Sequence, residues 1–240
     1  MQLYFVRHGQ SANNALWETH GTGAERSSDP ELTEVGYRQA EHVGRFLAQP
    51  LDEARIVGRD PQNLAGFGIT HVYCSLMVRA VETGTAIARR LGLSLHAWHD
   101  LHEVGGIYLD GEQPGERNGQ PGYNRAYLEQ RFPHLGLPGT VSEMGWWNRP
   151  FESVENRIPR AQRFVNELFA RHGGTDDRVV VVSHGDFYNL MLTVLLALPE
   201  SEQRWFSLNN TAVSRFIIKG DNVAITYMNR VDFLPRELIT

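Results

Sequence analysis

Two short apolar runs, one near each end of the chain, are each followed directly by a His-Gly pair. Residues 2–6 precede Arg7-His8-Gly9, and residues 179–182 precede Ser183-His184-Gly185. Runs rich in β-branched and aromatic residues indicate buried strands. In an open α/β sheet, ligands bind at the carboxyl ends of the strands. The pattern therefore predicts that the two histidines meet at one site.

The rest of the chain alternates between strand and helix patterns, which favours a mainly parallel sheet covered on both faces. We predict one domain over residues 1–240 with a three-layer α/β/α sandwich fold. Predicted strands cover residues 71–74, 93–98, 213–219 and 223–228, the last two forming a hairpin; predicted helices cover residues 32–47, 77–91, 154–171 and the segment after His184. Ser153 is the expected N-cap of the third helix, and Pro159 is expected to kink it or delay its start.

Two segments, residues 52–68 and 105–150, read as insertions between these elements. Long loops in compact domains are often lids or binding segments. The longer one therefore has two interpretations, a lid over the site or a surface excursion that packs its own aromatic residues. As a lid it could hold a second anionic group or an organic portion of a ligand. The candidates for these contacts are Arg117, Arg125, Arg131, Arg149, Tyr108, Trp146 and Trp147.

Bulk properties exclude several classes of partner. The net charge of −5 over 240 residues gives no general basic field, so we expect no nucleic-acid partner. No apolar stretch approaches the roughly 18 residues of a membrane span, and the N-terminus lacks a basic, cleavable leader. The lone Cys74 has no internal disulfide partner. We expect a cytoplasmic protein without a membrane partner, with a homo-oligomer possible.

The residue types around His8 suit phosphoryl transfer. A neutral imidazole is available as a nucleophile near pH 7, because its usual pKa is about 6.5. Attack on phosphorus would split one displacement into two easier steps. Arg7 offers a planar, permanently charged fork for phosphate oxygens. Gly9, without a Cβ, is expected to let the backbone approach the phosphate.

A second arginine and a carboxyl group complete the expected chemistry. Arg79 falls in the first turn of a predicted helix just after a strand, where anions are favoured. The alternative is an ordinary solvated arginine. Glu103 follows the predicted strand 93–98 and is the preferred proton donor for the leaving oxygen. Asp186 is the competitor, although an Asp at a helix start often serves only as a cap.

These segments resemble the sequence motifs of the histidine phosphatase superfamily, in its phosphoglycerate mutase-like branch. Arg7-His8-Gly9-Gln10-Ser11 with Asn14 is similar to the RHG(E/Q)(S/T)xxN motif. In chain order, the further matches are Leu32-Thr33-Glu34-Val35-Gly36 with Gln39-Ala40, Ser75-Leu76 through Arg79-Ala80 and Thr83, Leu101-x-Glu103, and Ser183-His184-Gly185. The third match departs from the family motif in its spacing at Leu76 and Met77.

The resemblance implies a role for each matching residue. His8 would carry the phosphoryl group, and Glu103 would be the general acid and then the base that activates water. Arg7, Arg79 and His184 would form the phosphate pocket. Substrate would also be bound by Gln10, Ser11, Asn14 and the backbone at Gly9 and Gly185. The family needs no metal or other cofactor. The sequence, with no HxxxH motif, no acidic cluster and a single cysteine, agrees with that expectation.

Three functions remain open at this point. The first is a phosphatase acting on a small phosphorylated substrate; the second is a bisphosphoglycerate-dependent phosphoglycerate mutase; the third is a phosphate-binding module without activity. Thr22-Gly23 is only a faint match to the aromatic-TGW stretch of the mutases, which favours hydrolysis. His20 and His102 could contact substrate. The other histidines, His42, His71, His96, His99, His134 and His172, are expected to be surface or ordinary interior residues.

Overall fold

The computed structural model describes residues 1–21, 26–56, 58–201 and 204–240 of the chain. Its central feature is a seven-stranded sheet with the strand order β6-β3-β2-β7-β1-β8-β9. These strands are β1 (Gln2–Arg7), β2 (His71–Cys74), β3 (Leu95–Ala97), β6 (Leu135–Gly136), β7 (Arg178–Ser183), β8 (Val213–Lys219) and β9 (Asn222–Arg230). Five neighbouring strands are parallel, whereas β8 and β9 form an antiparallel hairpin at one edge. Two further strands, β4 (Tyr108–Asp110) and β5 (Arg117–Gly119), form a separate hairpin.

Helices connect the parallel strands, and the predicted α/β fold class is confirmed. The α-helices of the described residues are α1 (Ala12–His20), α2 (Glu34–Leu47), α3 (Val78–Leu91), α4 (Arg125–Arg131), α5 (Val154–His172) and α6 (Gly185–Leu195). The strand predicted at 93–98 is shorter, and the helix predicted from residue 32 begins at Glu34 after an N-cap at Thr33. None of the described helices is long and apolar enough to cross a membrane.

Both faces of the sheet are buried, which explains the continuous apolar runs in β1 and β7. Successive side chains of a strand point to opposite faces. In β1, Tyr4 and Val6 pack into one apolar cluster with α2 and α3, while Leu3 and Phe5 pack into the other with α5 and α6. The two clusters hold the sheet between two helical layers, and this leaves its strand ends to carry polar groups.

Two details of α5 differ from the sequence expectation. Ser153 does occupy the N-cap position, but its hydroxyl accepts from the side-chain amide of Asn156, not from a backbone N–H of the helix. The expected delay in the helix start is wrong, because α5 begins at Val154 and contains Pro159. Only the carbonyl four residues before a proline loses its partner, so the helix continues through that position. A kink at Pro159 stays a prediction.

The two segments that the sequence predicts to be insertions both contribute residues to the core. Residues 105–150 contain the β4–β5 hairpin, α4 and β6, and β6 extends the central sheet. Trp146 and Trp147 are buried in the apolar cluster beside α3. In residues 52–68, a single helical turn (Glu53–Arg55) is followed by the buried Asn63 and Phe67.

Candidate active site

The two histidines meet because β1 and β7 are adjacent and parallel. Arg7 is aligned with Ser183 at the carboxyl ends of these strands, and the His8 N–H donates to the Ser183 carbonyl at 2.9 Å. The His8 and His184 ring centroids are 5.1 Å apart. Both rings are buried. The sheet thus places the two His-Gly pairs at one point, as the sequence predicts.

The hydrogen bonds of His8 define its tautomer. Nδ1 lies 2.7 Å from the Gly9 carbonyl oxygen, which can only accept, so Nδ1 carries the proton. Burial, and then the charges of Arg79 and Arg7, hold the pKa of His8 well below its usual range. The ring is therefore neutral, and Nε2 carries a lone pair instead of a proton. That lone pair accepts from the Arg79 Nε–H at 3.2 Å.

Arg79 is fixed at the start of α3 by a buried aspartate. Its guanidinium lies 3.7 Å from Asp29, and the same carboxylate accepts from the Val78 N–H at 3.1 Å. Asp29 thus serves as the helix cap that Met77 cannot provide. Burial raises the pKa of Asp29 to about 7, partly offset by Arg79. The contact aims the Arg79 Nε at His8.

Three buried nitrogen atoms around His8 have no hydrogen-bond partner among the residues that the structure describes. These atoms are the Arg7 Nε and both ring nitrogens of His184. Another nitrogen of Arg7 donates to the Leu208 carbonyl and anchors the side chain. Burial lowers the pKa of His184 well below its usual range, so its ring is neutral with one N–H to donate. Buried polar groups are normally satisfied, so this cluster suits an anion that accepts several hydrogen bonds.

Glu103 lies at the N-terminus of α6. Its Oε1 accepts from the N–H groups of Val104 at 2.8 Å and Phe187 at 2.9 Å, and its Oε2 accepts from the Asp186 N–H at 3.2 Å. Burial, together with the neighbouring Asp186 charge, raises the pKa of Glu103 to about 7 despite these donors. A carboxyl with this pKa can both donate and accept a proton near neutral pH.

Asp186 differs from Glu103 in position. Its side chain is exposed at the rim of the site. Its backbone N–H donates to Glu103, so Glu103, and not Asp186, accepts hydrogen bonds from the first turn of α6. The suggested capping role of the Asp186 side chain is therefore wrong. Desolvation raises the pKa of Asp186, against the opposing charges of Arg7 and Arg157.

These side chains open into a cleft of about 570 Å³. The lining residues include Arg7, His8, Ser11, Asn13, Asn14, Trp17, Arg26, Ser28, Pro30, Arg79, Glu103, Val104, Gly106, Tyr108, Asp110, Arg117 and Asp186. One wall is the β4–β5 hairpin, where the guanidinium of Arg26 stacks 4.0 Å from the Tyr108 ring centroid and that of Arg117 lies 5.7 Å away. Neither arginine has an ion-pair partner within the described ranges.

Ser11 and Asn14 line the cleft from the start of α1. Ser11 is the N-cap, and its backbone N–H and hydroxyl both donate to the Asn14 amide oxygen at 3.1 and 3.0 Å. The Asn210 amide donates weakly to the same oxygen at 3.4 Å and more closely to the His8 carbonyl at 3.0 Å. These contacts fix the Asn14 side chain and leave its NH₂ group available to a ligand.

Two of the expected substrate contacts are not made as predicted. The Gly9 N–H donates to the Thr83 hydroxyl at 3.0 Å, and a Cβ at Gly9 would lie 2.6 Å from the Gly36 carbonyl oxygen. The close approach of α2 is therefore enough to require glycine at this position. Gln10 is turned away from the cleft: its amide donates to Glu18 at 2.9 Å and accepts from Thr33 at 2.7 Å. Gly185 begins α6, beside the Arg7 side chain.

Only some of the predicted ligand contacts in residues 105–150 line the cleft. Tyr108 and Arg117 line the cleft, whereas Trp146 and Trp147 are in the core and cannot contact a ligand there. The remaining arginines are committed elsewhere: Arg125 to the Val141 and Pro138 carbonyls, Arg131 to Glu31 and Glu82, and Arg149 to His99 and the Trp147 ring. Of this segment, the β4–β5 hairpin forms a wall of the cleft, and its closure as a lid stays a prediction.

Other cleft residues were not predicted. No sequence motif marks two of the cleft-lining residues, Arg26 and Trp17. The same is true of two residues that support the site, Asp29 and Asn210. Only the position of Asp29 shortly before the Leu32-Thr33 motif could have drawn attention to it. Of the two histidines expected near substrate, His102 is buried against Trp147 and His20 lies at the exposed end of α1. Neither lines the cleft.

Comparison with protein families agrees with the motifs. The family model of the histidine phosphatase superfamily (branch 1) matches residues 3–231. The chain belongs to the histidine phosphatase superfamily. Enzymes of this superfamily include phosphatases and mutases. The match runs through the whole cleft, from the first strand to the final hairpin.

The similar proteins include some that are named as mutases and some that are named as phosphatases. A protein of Erwinia tasmaniensis named probable phosphoglycerate mutase GpmB is 29% identical over 225 residues, which cover 90% of this chain and 84% of the relative. The solved phosphoserine phosphatase of Entamoeba histolytica, in complex with 3-phosphoglyceric acid, has a TM-score of 0.59 and 21% identity, covering 98% and 99% of the two chains. A mycobacterial glucosyl-3-phosphoglycerate phosphatase has the same TM-score and identity, covering 96% and 99%. The structural likeness supports the shared fold.

Proposed function

We propose that this protein is a metal-independent phosphomonoester hydrolase that works through a phosphohistidine on His8. The observation that carries the proposal is the neutral His8 ring, with its proton on Nδ1 and its Nε2 lone pair beside Arg79. A nucleophile in this tautomer needs no separate base. Membership of a superfamily of phosphatases and mutases supports the same chemistry.

In the first step, the Nε2 lone pair of His8 forms a bond to phosphorus while the bond from phosphorus to the leaving oxygen breaks. That oxygen takes the proton of Glu103. The phosphoryl oxygens accept hydrogen bonds from Arg7, Arg79 and His184; of these, the Arg7 Nε and the His184 ring have no partner among the described residues. Positive charge that develops on the His8 ring is stabilised by the Gly9 carbonyl at Nδ1. Most of the acceleration would come from this positioning and charge neutralisation.

In the second step, the Glu103 carboxylate takes a proton from a water molecule as the water oxygen attacks phosphorus. The N–P bond breaks, its electrons return to Nε2, and inorganic phosphate leaves. A pKa of about 7 for Glu103 fits both duties, since the group must hold a proton in one step and take one in the next. No step requires a metal ion.

The substrate that fits the cleft best is a small phosphomonoester with a second anionic group. Arg117 on the hairpin and Arg26, which stacks against it at Tyr108, have no ion-pair partner in the described chain, so their charges are available to a ligand. Phosphoserine and 3-phosphoglyceric acid, which the names of similar proteins mention, each carry a carboxylate besides the phosphate. An arginine wall opposite the phosphate pocket would select such molecules over simple alkyl phosphates.

A phosphoglycerate mutase remains the second candidate, because the named relatives from Erwinia and Yersinia are called mutases. Thr22-Gly23, which bears on this choice in the sequence, lies outside the described residues. The test is a screen of purified, chelator-treated protein against phosphomonoesters, including 3-phosphoglycerate with and without bisphosphoglycerate. Release of inorganic phosphate without isomerisation supports hydrolysis. Formation of 2-phosphoglycerate at a higher rate than phosphate release would overturn it in favour of the mutase.

A further inference from the structure

A cluster of metal-ligating side chains lies at the opposite end of the sheet from the cleft. His71 is the first residue of β2, Asp177 directly precedes β7, and His172 ends α5. Each offers one ligand atom, and the three atoms lie within 4.8 Å of one another. The strand β7 has six residues at about 3.3 Å each, so this cluster is roughly 15–20 Å from the catalytic histidines.

The distances within the cluster suit a transition-metal ion. The His172 Nδ1 lies 2.8 Å from one oxygen of Asp177, a hydrogen bond that a bound ion would replace. The His71 Nδ1 lies 3.9 Å from the other oxygen and 2.8 Å from the Thr70 hydroxyl, which an ion would displace from it. Ligand atoms on a tetrahedral zinc ion with bonds of 2.0–2.1 Å are about 3.3 Å apart. The two distances to the Asp177 oxygens fall on either side of that value. The His71 and Asp177 side chains are partly exposed, so they can adjust around the buried His172 to bring the three atoms to this spacing.

The surroundings of His172 provide the usual support for a metal-ligating imidazole. Such a histidine donates its other ring N–H to an oxygen, which fixes the ring. The Tyr73 hydroxyl lies 3.1 Å from the His172 Nε2 and can accept this hydrogen bond. The His172 side chain is only 4% exposed, whereas those of His71 and Asp177 are 39% and 26% exposed. The cluster therefore combines one rigid interior ligand with two that an ion can reach from solvent.

We propose that His71, His172 and Asp177 bind one zinc-class divalent transition-metal ion, with water in the fourth position. Two imidazoles and one carboxylate favour Zn²⁺ over Mg²⁺ or Ca²⁺, which prefer oxygen ligands. The ion would join the end of α5 to β2 and β7. Its effect would be on stability and not on phosphoryl transfer, because the site is remote from His8.

The test is a titration of chelator-treated full-length protein with Zn²⁺ in competition with a chromophoric chelator. The wild type is expected to bind one equivalent, and saturating Zn²⁺ should raise Tm by roughly 5–10 °C. His71→Ala should bind no stoichiometric Zn²⁺ and should show no increase in Tm when Zn²⁺ is added. Tyr73→Phe should weaken the affinity for Zn²⁺ by about 10–100-fold. The exposed His134→Ala is the matched control and should bind like the wild type.

Two further arms separate this site from the catalytic cleft. His8→Ala is expected to keep the zinc equivalent, and phosphate release by the zinc-free wild type should be undiminished at temperatures well below its Tm. The proposal is overturned if the wild type binds no stoichiometric Zn²⁺, if His71→Ala binds it equally well, or if His8→Ala loses it. None of these outcomes bears on hydrolysis, which the phosphomonoester screen tests separately.

Discussion

Replacing Glu103 with glutamine tests the proton donor most directly. At a pKa of about 7, roughly half of the molecules carry the proton at pH 7, against about one in 300 for a carboxyl at the ordinary value of 4.5. The glutamine side chain cannot transfer a proton at any pH. It can still accept from Val104 and Phe187 through its amide oxygen, but its NH₂ group would face the Asp186 N–H. This lost hydrogen bond costs about 1 kcal/mol of stability, so the variant should fold.

The expected defect depends on the leaving group. For phosphoserine, whose alkoxide needs a proton to depart, Glu103→Gln should lower kcat/KM by about 10²–10⁴-fold. For p-nitrophenyl phosphate, whose phenolate leaves unprotonated, the first step should be nearly unchanged. A burst of nitrophenol before a slow steady state is expected, because the same variant lacks the base for the second step. Rapid-mixing absorbance measurements at pH 7 resolve the two phases.

Asp186→Asn is the control for this comparison. Asp186 is exposed at the rim and is not the proton donor, so its loss should act only by lowering the pKa of Glu103 and should slow phosphoserine hydrolysis by less than about tenfold. The reasoning is refuted if Asp186→Asn shows the leaving-group-dependent defect and Glu103→Gln does not. If neither variant shows it, the proton donor must be another group in the cleft.

Three further outcomes follow from the same geometry. His8→Ala should abolish both turnover and acid-labile phosphate labelling while Tm is maintained; near-normal turnover would end the proposal. Activity should survive EDTA, measured as phosphate release below about 30 °C, whereas loss restored by a divalent ion would indicate metal-assisted hydrolysis. Arg117→Ala should raise KM for phosphoserine about tenfold and leave p-nitrophenyl phosphate unaffected, with Arg45→Ala on α2 as the control. Equal effects on both esters would show that Arg117 does not bind the second anionic group of the substrate.

The pH dependence of the alkyl ester reaction has a defined sign. The pKa of Glu103 is raised to about 7, so the proton that the leaving group needs is lost as pH rises through 7. The pKa of His8 is lowered well below 6.5, so the nucleophile stays neutral in mildly acidic solution. For phosphoserine in single-turnover phosphorylation, the rate should therefore fall above pH 7 and hold between about pH 5.5 and 6.5. A rate that rises through pH 7 would contradict this assignment.

Local sequence patterns predict the elements and the strand-end positions of the site. Runs rich in aromatic or β-branched residues at positions 2–6 and 179–182 encode buried parallel strands, and a strand fixes where its last residue lies. His8, Arg79, Glu103 and His184 are each within a few residues of such an end. Their approach to one another therefore follows once the sheet order is known.

What local patterns cannot predict is which distant residue contacts a given side chain. Gln10 sits inside the motif, yet Glu18 and Thr33 take up its amide group. Trp146 and Trp147 stand in a glycine-rich segment, yet they fill the core. His71, classed as an ordinary residue from sequence, meets groups about 100 positions away only because β2 and β7 are neighbours.

The cleft concentrates buried polar groups that the folded chain leaves without partners, and this has an energetic consequence. An unsatisfied buried donor or acceptor costs roughly 1–3 kcal/mol. The Arg7 Nε and the two ring nitrogens of His184 are such atoms, and all lie around the His8 ring. A chain selected for stability alone would fill this place with apolar side chains. Because a phosphoryl group can accept from the Arg7 Nε–H and from the single N–H of His184, the same arrangement that weakens the fold gives the transition state hydrogen bonds.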